Sequence, residues 1–295
     1  MSLPKHQMSI RDSASENGAA MTPQHLYLDL MKQCLTYFVW GENVQPLAPY
    51  NIRSPFWRRM LPFFKRRLSG KNILLMREVE FDPEVRTEGK DQPALAHTMI
   101  GLKRLDNIQN CIEDILRSKV PGDLIETGVW RGGATIFMRA VLKAYEVKDR
   151  RVWVADSFEG LPPPNTDKYP ADKGDIHHQL THLAISLEEV KENFSKYGLL
   201  DEQVCFLKGW FKDALPTAPI EKLAVMRLDG DMYESTMDAL KHLYPKLSVG
   251  GYVIIDDYGY IHSCRQAVHD FREANQIRDE IKLIDWSGVY WKRSQ

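Results

Sequence analysis

The 295-residue sequence predicts an α/β fold with a mostly parallel sheet of seven strands, an antiparallel C-terminal hairpin and a helical N-terminal extension. Two observations lead to this prediction. From about residue 93, short apolar segments alternate with longer segments of helical periodicity, which indicates an open parallel sheet with helices on both faces. The last two apolar segments are joined only by "DWSG", which is too short for a parallel crossover, so one of these strands must run antiparallel.

The predicted elements of this region follow one another in a regular order. A helix in "LKRLDNIQNCIEDILRSKV" precedes the first strand, and later helices are predicted in "ATIFMRAVLKAYEV", "SLEEVKENFSKYGL", "YESTMDALKHLYPKLSVGG" and "HSCRQAVHDFREAN". Ser186 followed by Glu188 and Glu189 is typical of a helix start. The strands are predicted in "GDLIET", "RRVWVADSF", "QVCFLKGWF", "LAVMRLD", "YVIIDDY" and the two halves of "IKLIDWSGVYWKR".

Three regions are predicted along the chain. Residues 1–22 are polar and small, which predicts a disordered tail. Residues 23–92 form a helical and irregular extension, and residues 93–295 form the main α/β domain.

A helix is predicted from Thr22 to Trp40. Its apolar residues near one face are Leu26, Leu30, Met31, Leu35 and Phe38. This is more apolar surface than a free arm should expose, which predicts a homo-oligomer, most simply a dimer.

The stretch from Gly41 to Leu68 is rich in proline, arginine and aromatic residues. Its centre, "PFWRRMLPFFKRRL", suits contact with an anionic surface or a membrane. The favoured interpretation is a folded loop with a solvated basic rim, because the two prolines work against one clean amphipathic helix.

Composition and charge exclude several classes of protein. The net charge of −1 offers no basic excess for a nucleic-acid partner. No apolar run is long enough to span a bilayer, and the polar N-terminus lacks a signal-peptide core. The four cysteines have no metal-like spacing and are interpreted as reduced thiols of a cytoplasmic protein.

A glycine-rich turn follows the first predicted strand of the main domain. In "ETGVWRGGAT", glycines allow a ligand to approach the backbone closely at a helix N-terminus. The spacing differs from the G-x-G-x-x-G of dinucleotide binders. A tight strand–helix turn without a ligand explains the same residues equally well.

The second strand strengthens the case for a nucleoside site. It ends in Asp156 and Ser157, and an acid at this place can accept hydrogen bonds from both ribose hydroxyls of NAD or of S-adenosylmethionine. The glycine spacing and the terminal hairpin favour S-adenosylmethionine, because a parallel sheet with such a hairpin is the outline of the Rossmann-like class I methyltransferase fold. Trp210 or Phe211 would pack on the adenine, or else belong to the core.

A second group of acids lies at two consecutive strand ends. Asp229 ends one strand and Asp256 and Asp257 end the next, so the three carboxylates should converge above the sheet. Clustered carboxylates repel one another unless a cation neutralises them, and oxygen ligands suit Mg²⁺, Mn²⁺ or Ca²⁺. The alternative is that some of these acids only cap helices.

Asp231 lies two residues beyond Asp229 and should face the same cavity. If Asp229 holds the metal, Asp231 is free to act as general base on a metal-bound hydroxyl.

Together these segments resemble a known family. "DLIETGVWRGGA", "VADSFEGLPPP", "GWFKDALP", "RLDGDMYEST" and "GGYVIIDDY" are similar to the TylF/macrocin family of O-methyltransferases, over roughly residues 75 to 295. The resemblance implies S-adenosylmethionine and a divalent metal, Mg²⁺ or another cation such as Mn²⁺, acting on sugar hydroxyls of natural products. The sequence departs from the family pattern in the N-terminal region, where "APYNIRSPFWRRMLPFFKRRLSGKN" looks like an insertion, so the resemblance does not extend to the acceptor or the assembly.

The resemblance also implies roles for single residues. Asp229, Asp256 and Asp257 would bind the metal, and Asp231 would be the general base. The residues that would line the cofactor site are Thr98, Met99, Glu126, Gly128, Arg131, Asp156, Ser157 and Trp210.

The expected function is therefore Mg²⁺-dependent methylation of a sugar or similar polyol of a secondary metabolite. A phenol or catechol acceptor is an alternative, because vicinal hydroxyls can chelate a metal in either substrate. A non-enzymatic alternative is a binding or assembly protein that retains a cofactor fold. The long loop from Pro162 to His182 is predicted to be a lid, in which His178 or His182 contacts the acceptor or is exposed to solvent.

Overall fold

The N-terminal region folds as helices joined by a small antiparallel pair of strands. The computed structural model describes residues 22–47 and 52–295, so the predicted tail lies almost entirely outside the described residues. The elements of this region are α1 (Pro23–Leu35), β1 (Val44–Pro46), α2 (Pro55–Ser69), β2 (Met76–Glu78) and α3 (Pro83–Thr87). The predicted division between residues 92 and 93 stays a prediction.

The helix α1 is shorter than predicted, and the face that it buries differs in part from the predicted one. It ends at Leu35, and Tyr37 has a left-handed backbone with φ of 58° that breaks the helix. Leu28 and Leu35 are fully buried and pack into the core of the main domain, whereas Leu26 and Leu30 are exposed. The predicted face was therefore partly wrong, and the dimer stays a prediction that rests on the exposed leucines.

A helix occupies the stretch that we predicted as a loop. Pro55 begins α2, where its missing N–H would have no partner inside the helix anyway, and Pro62 lies within the helix. The prediction failed because a proline in the first turn favours a helix, while only the second proline opposes it.

One seven-stranded sheet forms the centre of the main domain. Its order is β5-β4-β3-β6-β7-β9-β8, with parallel pairing from β5 to β7 and antiparallel pairing of β9 with both β7 and β8. This confirms the predicted class I methyltransferase sheet with its antiparallel hairpin. The strands are β3 (Asp123–Thr127), β4 (Val152–Asp156), β5 (Val204–Lys208), β6 (Leu223–Leu228), β7 (Leu247–Ile255), β8 (Lys282–Leu283) and β9 (Val289–Lys292).

Helices cover both faces of the sheet and bury two apolar clusters. One cluster joins the sheet to α1, α4, α5 and α6, and the other joins it to α8 and α9. Ser186 caps α6 as predicted, since its hydroxyl accepts the N–H of Glu189 at 3.1 Å. The helices are α4 (Gly101–Arg117), α5 (Gly133–Ala144), α6 (Leu187–Lys196), α7 (Phe211–Ala214), α8 (Tyr233–Leu243) and α9 (His262–Ala274). Among the helices of residues 22–47 and 52–295, none combines the length and the apolar character that crossing a membrane requires.

Candidate active site

A cavity of about 830 Å³ lies where the strands β3, β4, β6 and β7 end. Ligands of open α/β sheets bind at this edge, because the loops that follow parallel strands meet there. Of the predicted site residues, those that line the cavity are Thr98, Met99, Glu126, Gly128, Asp156, Ser157, Trp210, Asp229, Asp231, Asp256 and Asp257. Arg131 is not among the lining residues.

The glycine turn after β3 packs directly against the turn after β6. Gly128 has a φ of 81°, and a Cβ at this position would lie 1.7 Å from the carbonyl oxygen of Asp229. The N–H of Asp229 donates to the carbonyl of Thr127 at 2.9 Å. Only glycine fits this close approach, which joins the predicted cofactor side of the cavity to the acid side.

Arg131 holds the segment that leads to Thr98. Its Nη1 donates to the carbonyl oxygens of Ala94 and Ala96, each at 2.8 Å, and its guanidinium stacks 4.3 Å from the ring centre of Trp130. The structure therefore gives Arg131 a positioning role beside the cavity.

Backbone N–H groups already bind both carboxylate oxygens of Asp156. Oδ2 accepts the N–H of Val129 at 2.7 Å, and Oδ1 accepts the N–H of Phe158 at 2.7 Å. Burial raises the pKa of Asp156, and these hydrogen bonds act against that shift. Asp156 thus ties the turn after β3 to the turn after β4. Ser157 contributes to the second turn by donating to the carbonyl of Gly160 at 2.7 Å.

The predicted metal ligands lie together. Each of Asp229, Asp256 and Asp257 offers one carboxylate oxygen, and these three atoms lie within 4.8 Å of one another. Burial and, after it, the negative charge of Asp256 together raise the pKa of Asp229 to about 6, while Arg227 acts against this shift.

Asp231 lines the same cavity as Asp229. It lies in the turn that follows β6 and not on the strand itself, which ends at Leu228. Its backbone is left-handed, with a φ of 58°, and its N–H donates to Oδ2 of Asp257 at 3.2 Å. Burial raises the pKa of Asp231 to about 7, and the nearby negative charge of Asp229 adds to the shift.

Two buried arginines, which we did not predict, bind the acids. Arg227 is fully buried and forms ion pairs with Glu126, with Asp256 and, at 2.8 Å, with Asp229. Arg104 pairs with Asp256 at 2.6 Å and with Asp285 at 2.7 Å. Arg227 had a signal in the sequence, since a charged residue inside the apolar strand "LAVMRLD" needs a buried partner.

Comparison with known proteins agrees with this geometry. A family model described as macrocin-O-methyltransferase (TylF) matches residues 24–293. The chain belongs to the TylF family. It is an O-methyltransferase.

Individual relatives match most of the methyltransferase. It is 58% identical over 220 residues to demethyldecarbamoylnovobiocin O-methyltransferase of Streptomyces niveus. This match covers 74% of this chain and 84% of the relative. It is 50% identical to 8-demethyl-8-(2,3-dimethoxy-alpha-L-rhamnosyl)-tetracenomycin-C 4'-O-methyltransferase of Streptomyces olivaceus, over 91% of this chain and 93% of the relative. The solved structure of the O-methyltransferase NovP is 50% identical, with a TM-score of 0.78, and the match covers 92% of this chain and 100% of that one.

The acid cluster of this TylF-family methyltransferase fits a hard divalent cation. Its ligand atoms are all carboxylate oxygens, without the nitrogen or sulfur donors that zinc prefers. Arg104 and Arg227 bind Asp256, whereas the backbone of Asp231 donates to Asp257. A carboxylate oxygen has a second lone pair, so these contacts leave room for a cation.

The other side of the cavity fits a ligand that carries hydrogen-bond donors. Oε2 of Glu126 is buried and has no hydrogen-bond partner, while its Oε1 accepts from Arg227. Burial raises the pKa of Glu126 to about 8. Trp210 and Phe211 are half-buried at the cavity wall, where either ring can pack on a ligand.

The loop predicted as a lid is attached at two points. The carboxylate of Asp172, which is buried, accepts the N–H groups of Tyr233 at 2.7 Å and Glu234 at 3.1 Å and so caps α8. The indole of Trp130 donates to the carbonyl of His182 at 3.0 Å.

The histidines of this loop differ in their placement. His177 and His182 line the cavity, and His178 is not among the lining residues. Sequence reasoning chose His178 or His182 and missed His177, whose Nδ1 lies 2.6 Å from Oδ2 of Asp175. The charges of His177 and Asp231 act on each other across the cavity. The sequence did contain a signal for His177, because Asp175 lies two residues before it and its carboxylate can orient the imidazole.

Proposed function

We propose that the enzyme transfers a methyl group from S-adenosylmethionine to a sugar hydroxyl of a glycosylated natural product, with Mg²⁺ or a similar cation such as Mn²⁺. The observation that carries this proposal is the single cavity that joins the glycine turn and Glu126 to the acid cluster of Asp229, Asp256 and Asp257. The relative from Streptomyces olivaceus, whose name contains a rhamnosyl group, supports a sugar acceptor.

Several residues are suited to hold the methyl donor. Oε2 of Glu126, which is buried without a hydrogen-bond partner, can accept a hydrogen bond from the ammonium group of S-adenosylmethionine. This bond would satisfy the buried oxygen. Asp156 fixes the two turns that Gly128 and Ser157 occupy, and its remaining lone pairs can accept from ribose hydroxyls. Trp210 offers an aromatic face to the adenine.

The acid side of the cavity is suited to activate the acceptor. When bound, S-adenosylmethionine supplies an electrophilic methyl group, and the cation supplies Lewis acidity that lowers the pKa of a hydroxyl. Asp231 lines this side of the cavity and would accept the proton of the acceptor hydroxyl there. The attached loop, with His177, limits the access of water to the reacting groups.

The location and assembly of the enzyme belong to the same proposal. Cytoplasmic action, a homo-oligomer such as a dimer, a small-molecule acceptor and the absence of a nucleic-acid partner all stay predictions.

An acceptor panel tests the proposed function. The purified enzyme is incubated with S-adenosylmethionine and a glycosylated acceptor with free sugar hydroxyls, its aglycone, or a catechol, and mass spectrometry locates the methyl group. We expect methylation of the sugar, loss of activity with a chelator and recovery with Mg²⁺ or Mn²⁺. Methylation of the catechol alone refutes the sugar acceptor, and full activity in chelator refutes the metal.

A further inference from the structure

The segment from residue 52 to residue 77, which contains α2, is strongly basic. It has no acidic residue, although the whole chain has a net charge of −1. Its eight basic residues are Arg53, Arg58, Arg59, Lys65, Arg66, Arg67, Lys71 and Arg77. No residue of this segment lines the active-site cavity, so the proposed methyl transfer leaves this charge unexplained.

The same helix exposes a group of aromatic rings. Phe56, Trp57, Phe63 and Phe64 are 66%, 55%, 57% and 37% exposed. The rings contact one another, with centroid distances of 5.6 Å for Phe56 and Trp57 and 5.8 Å for Phe63 and Phe64. Leu61 of the same helix is buried. A connected apolar patch of this kind in water marks an interaction surface.

The aromatic and basic residues lie on different faces of the helix over residues 56–66, whereas Arg67, four residues after Phe63, continues the aromatic face. Phe56, Met60 and Phe63 follow at intervals of four and three residues and share one face. Arg58 and Lys65, seven residues apart, share another face. A solvated basic rim, the interpretation favoured from the sequence, explains the basic residues but not the exposed aromatic face.

We propose that α2 docks the enzyme on an anionic lipid surface. At the boundary between head groups and acyl chains, an amphipathic helix places its aromatic face among the chains and its basic face among negatively charged head groups. An anionic lipid surface therefore accounts for both the basic charge and the exposed aromatic face of α2. A nucleic acid would neutralise the basic residues through its phosphates but would leave most of the aromatic face in water.

Vesicle co-sedimentation of the full chain tests this proposal. We expect binding to vesicles that mix phosphatidylglycerol with phosphatidylcholine, much weaker binding to pure phosphatidylcholine, and release at high salt. Each basic residue near an anionic surface strengthens binding about fivefold, so Arg59→Gln together with Lys65→Gln should weaken it about 25-fold. Trp57→Ala together with Phe63→Ala should also weaken it, through the loss of apolar burial.

A charge-matched control separates this surface from general electrostatics. Lys148→Gln together with Lys222→Gln removes two exposed charges outside the segment and should leave vesicle binding unchanged. Circular dichroism checks that each variant is folded, and methyl transfer to a water-soluble acceptor should be the same in all of them.

Four results would overturn the proposal. They are equal binding to both kinds of vesicle, binding to neither kind, equal losses in the α2 and control variants, and tighter binding to a labelled oligonucleotide than to the mixed vesicles. Light scattering without vesicles tests whether a second copy of this chain, instead of a membrane, binds the surface of α2. If the α2 variants, unlike the control, dissociate an oligomer and the vesicles do not bind, the surface is an interface between copies of this chain.

Discussion

The two sides of the cavity both carry acids at strand ends, but the partners of these acids differ. On the cofactor side, Asp156 accepts backbone N–H groups on both of its oxygens. On the acid side, the carboxylates of Asp229, Asp256 and Asp257 face one another, and two arginines compensate only part of their charge. An acid at a strand end is therefore not by itself a ligand. The kind of partner differs between the two sides: neutral backbone N–H groups fix Asp156 between two turns, whereas the acids bound by arginines keep negative charge that a cation can neutralise.

The largest effect is expected for the proposed base. Asp231→Asn should keep the metal and the cofactor but lower kcat by about 10²–10⁴-fold, because an amide cannot accept the hydroxyl proton. Added Mg²⁺ should not restore the rate. In the wild-type enzyme the rate should fall as pH decreases, since the base becomes protonated, and the variant should lose this acidic limb. Steady-state kinetics across pH measure both effects, with Asp213→Asn on the exposed side of α7 as an isosteric control.

The proposed metal ligand should respond differently. Asp229→Asn brings no charge to the cation, so metal affinity should fall by at least the roughly 10–100-fold that the loss of an outer-shell partner causes, and excess Mg²⁺ should restore part of the activity. Calorimetric titration with Mn²⁺ measures the affinity. If Mg²⁺ rescues the Asp231 variant and not this one, the two roles are reversed. If neither substitution slows methyl transfer, the acid cluster is structural.

On the cofactor side the expected effect is smaller. Asp156→Ala removes the acceptors for Val129 and Phe158 as well as those for a ribose, so the affinity for S-adenosylmethionine should fall at least about tenfold. The melting temperature should fall too, because two buried N–H groups lose their partner. Ser157→Ala, in the next position, should have a smaller effect on both. Calorimetry that shows unchanged affinity in folded Asp156→Ala would exclude this placement of the cofactor.

Much of the fold follows from local sequence patterns. Most strands and helices of the main domain were predicted because apolar periodicity and caps such as Ser186 act within a few residues. The helix predicted from Tyr233 to Gly251 was wrong at its end, since α8 stops at Leu243 and the residues from Leu247 onward belong to β7. The helix α2 was missed because the effect of a proline depends on its position in the helix, which Pro55 and Pro62 illustrate in opposite ways. The buried face of α1 depends on where the helix docks, and its own sequence does not contain that information.

The acids of the site were predictable for a similar reason. Asp229, Asp256 and Asp257 directly follow two strands that are neighbours in the sheet, so the topology alone brings them together. The partners of these acids were not predictable in the same way. Arg104 reaches the cluster from α4, and its ion pair with Asp256 spans 152 positions of sequence. No local pattern indicates such a contact.

The smallest effect is expected at the attached loop, where two helix caps allow a controlled comparison. Ser186→Ala removes the cap of α6, which lies outside the cavity, and should lower the free energy of unfolding by about 1 kcal/mol without changing KM. Asp172→Ala should lower it by about 1–3 kcal/mol, because a buried carboxylate binds two N–H groups of α8. Since Asp172 belongs to the loop that lines the cavity, its loss should also raise KM for the acceptor several-fold if the loop is a lid. Asp172→Asn keeps one of the two oxygen acceptors but places an NH2 donor against the other N–H group, so it should restore only part of both properties. Chemical denaturation and steady-state kinetics measure the two quantities. If Asp172→Ala loses stability but keeps its KM, the attachment of the loop serves the fold alone and the loop is not a lid.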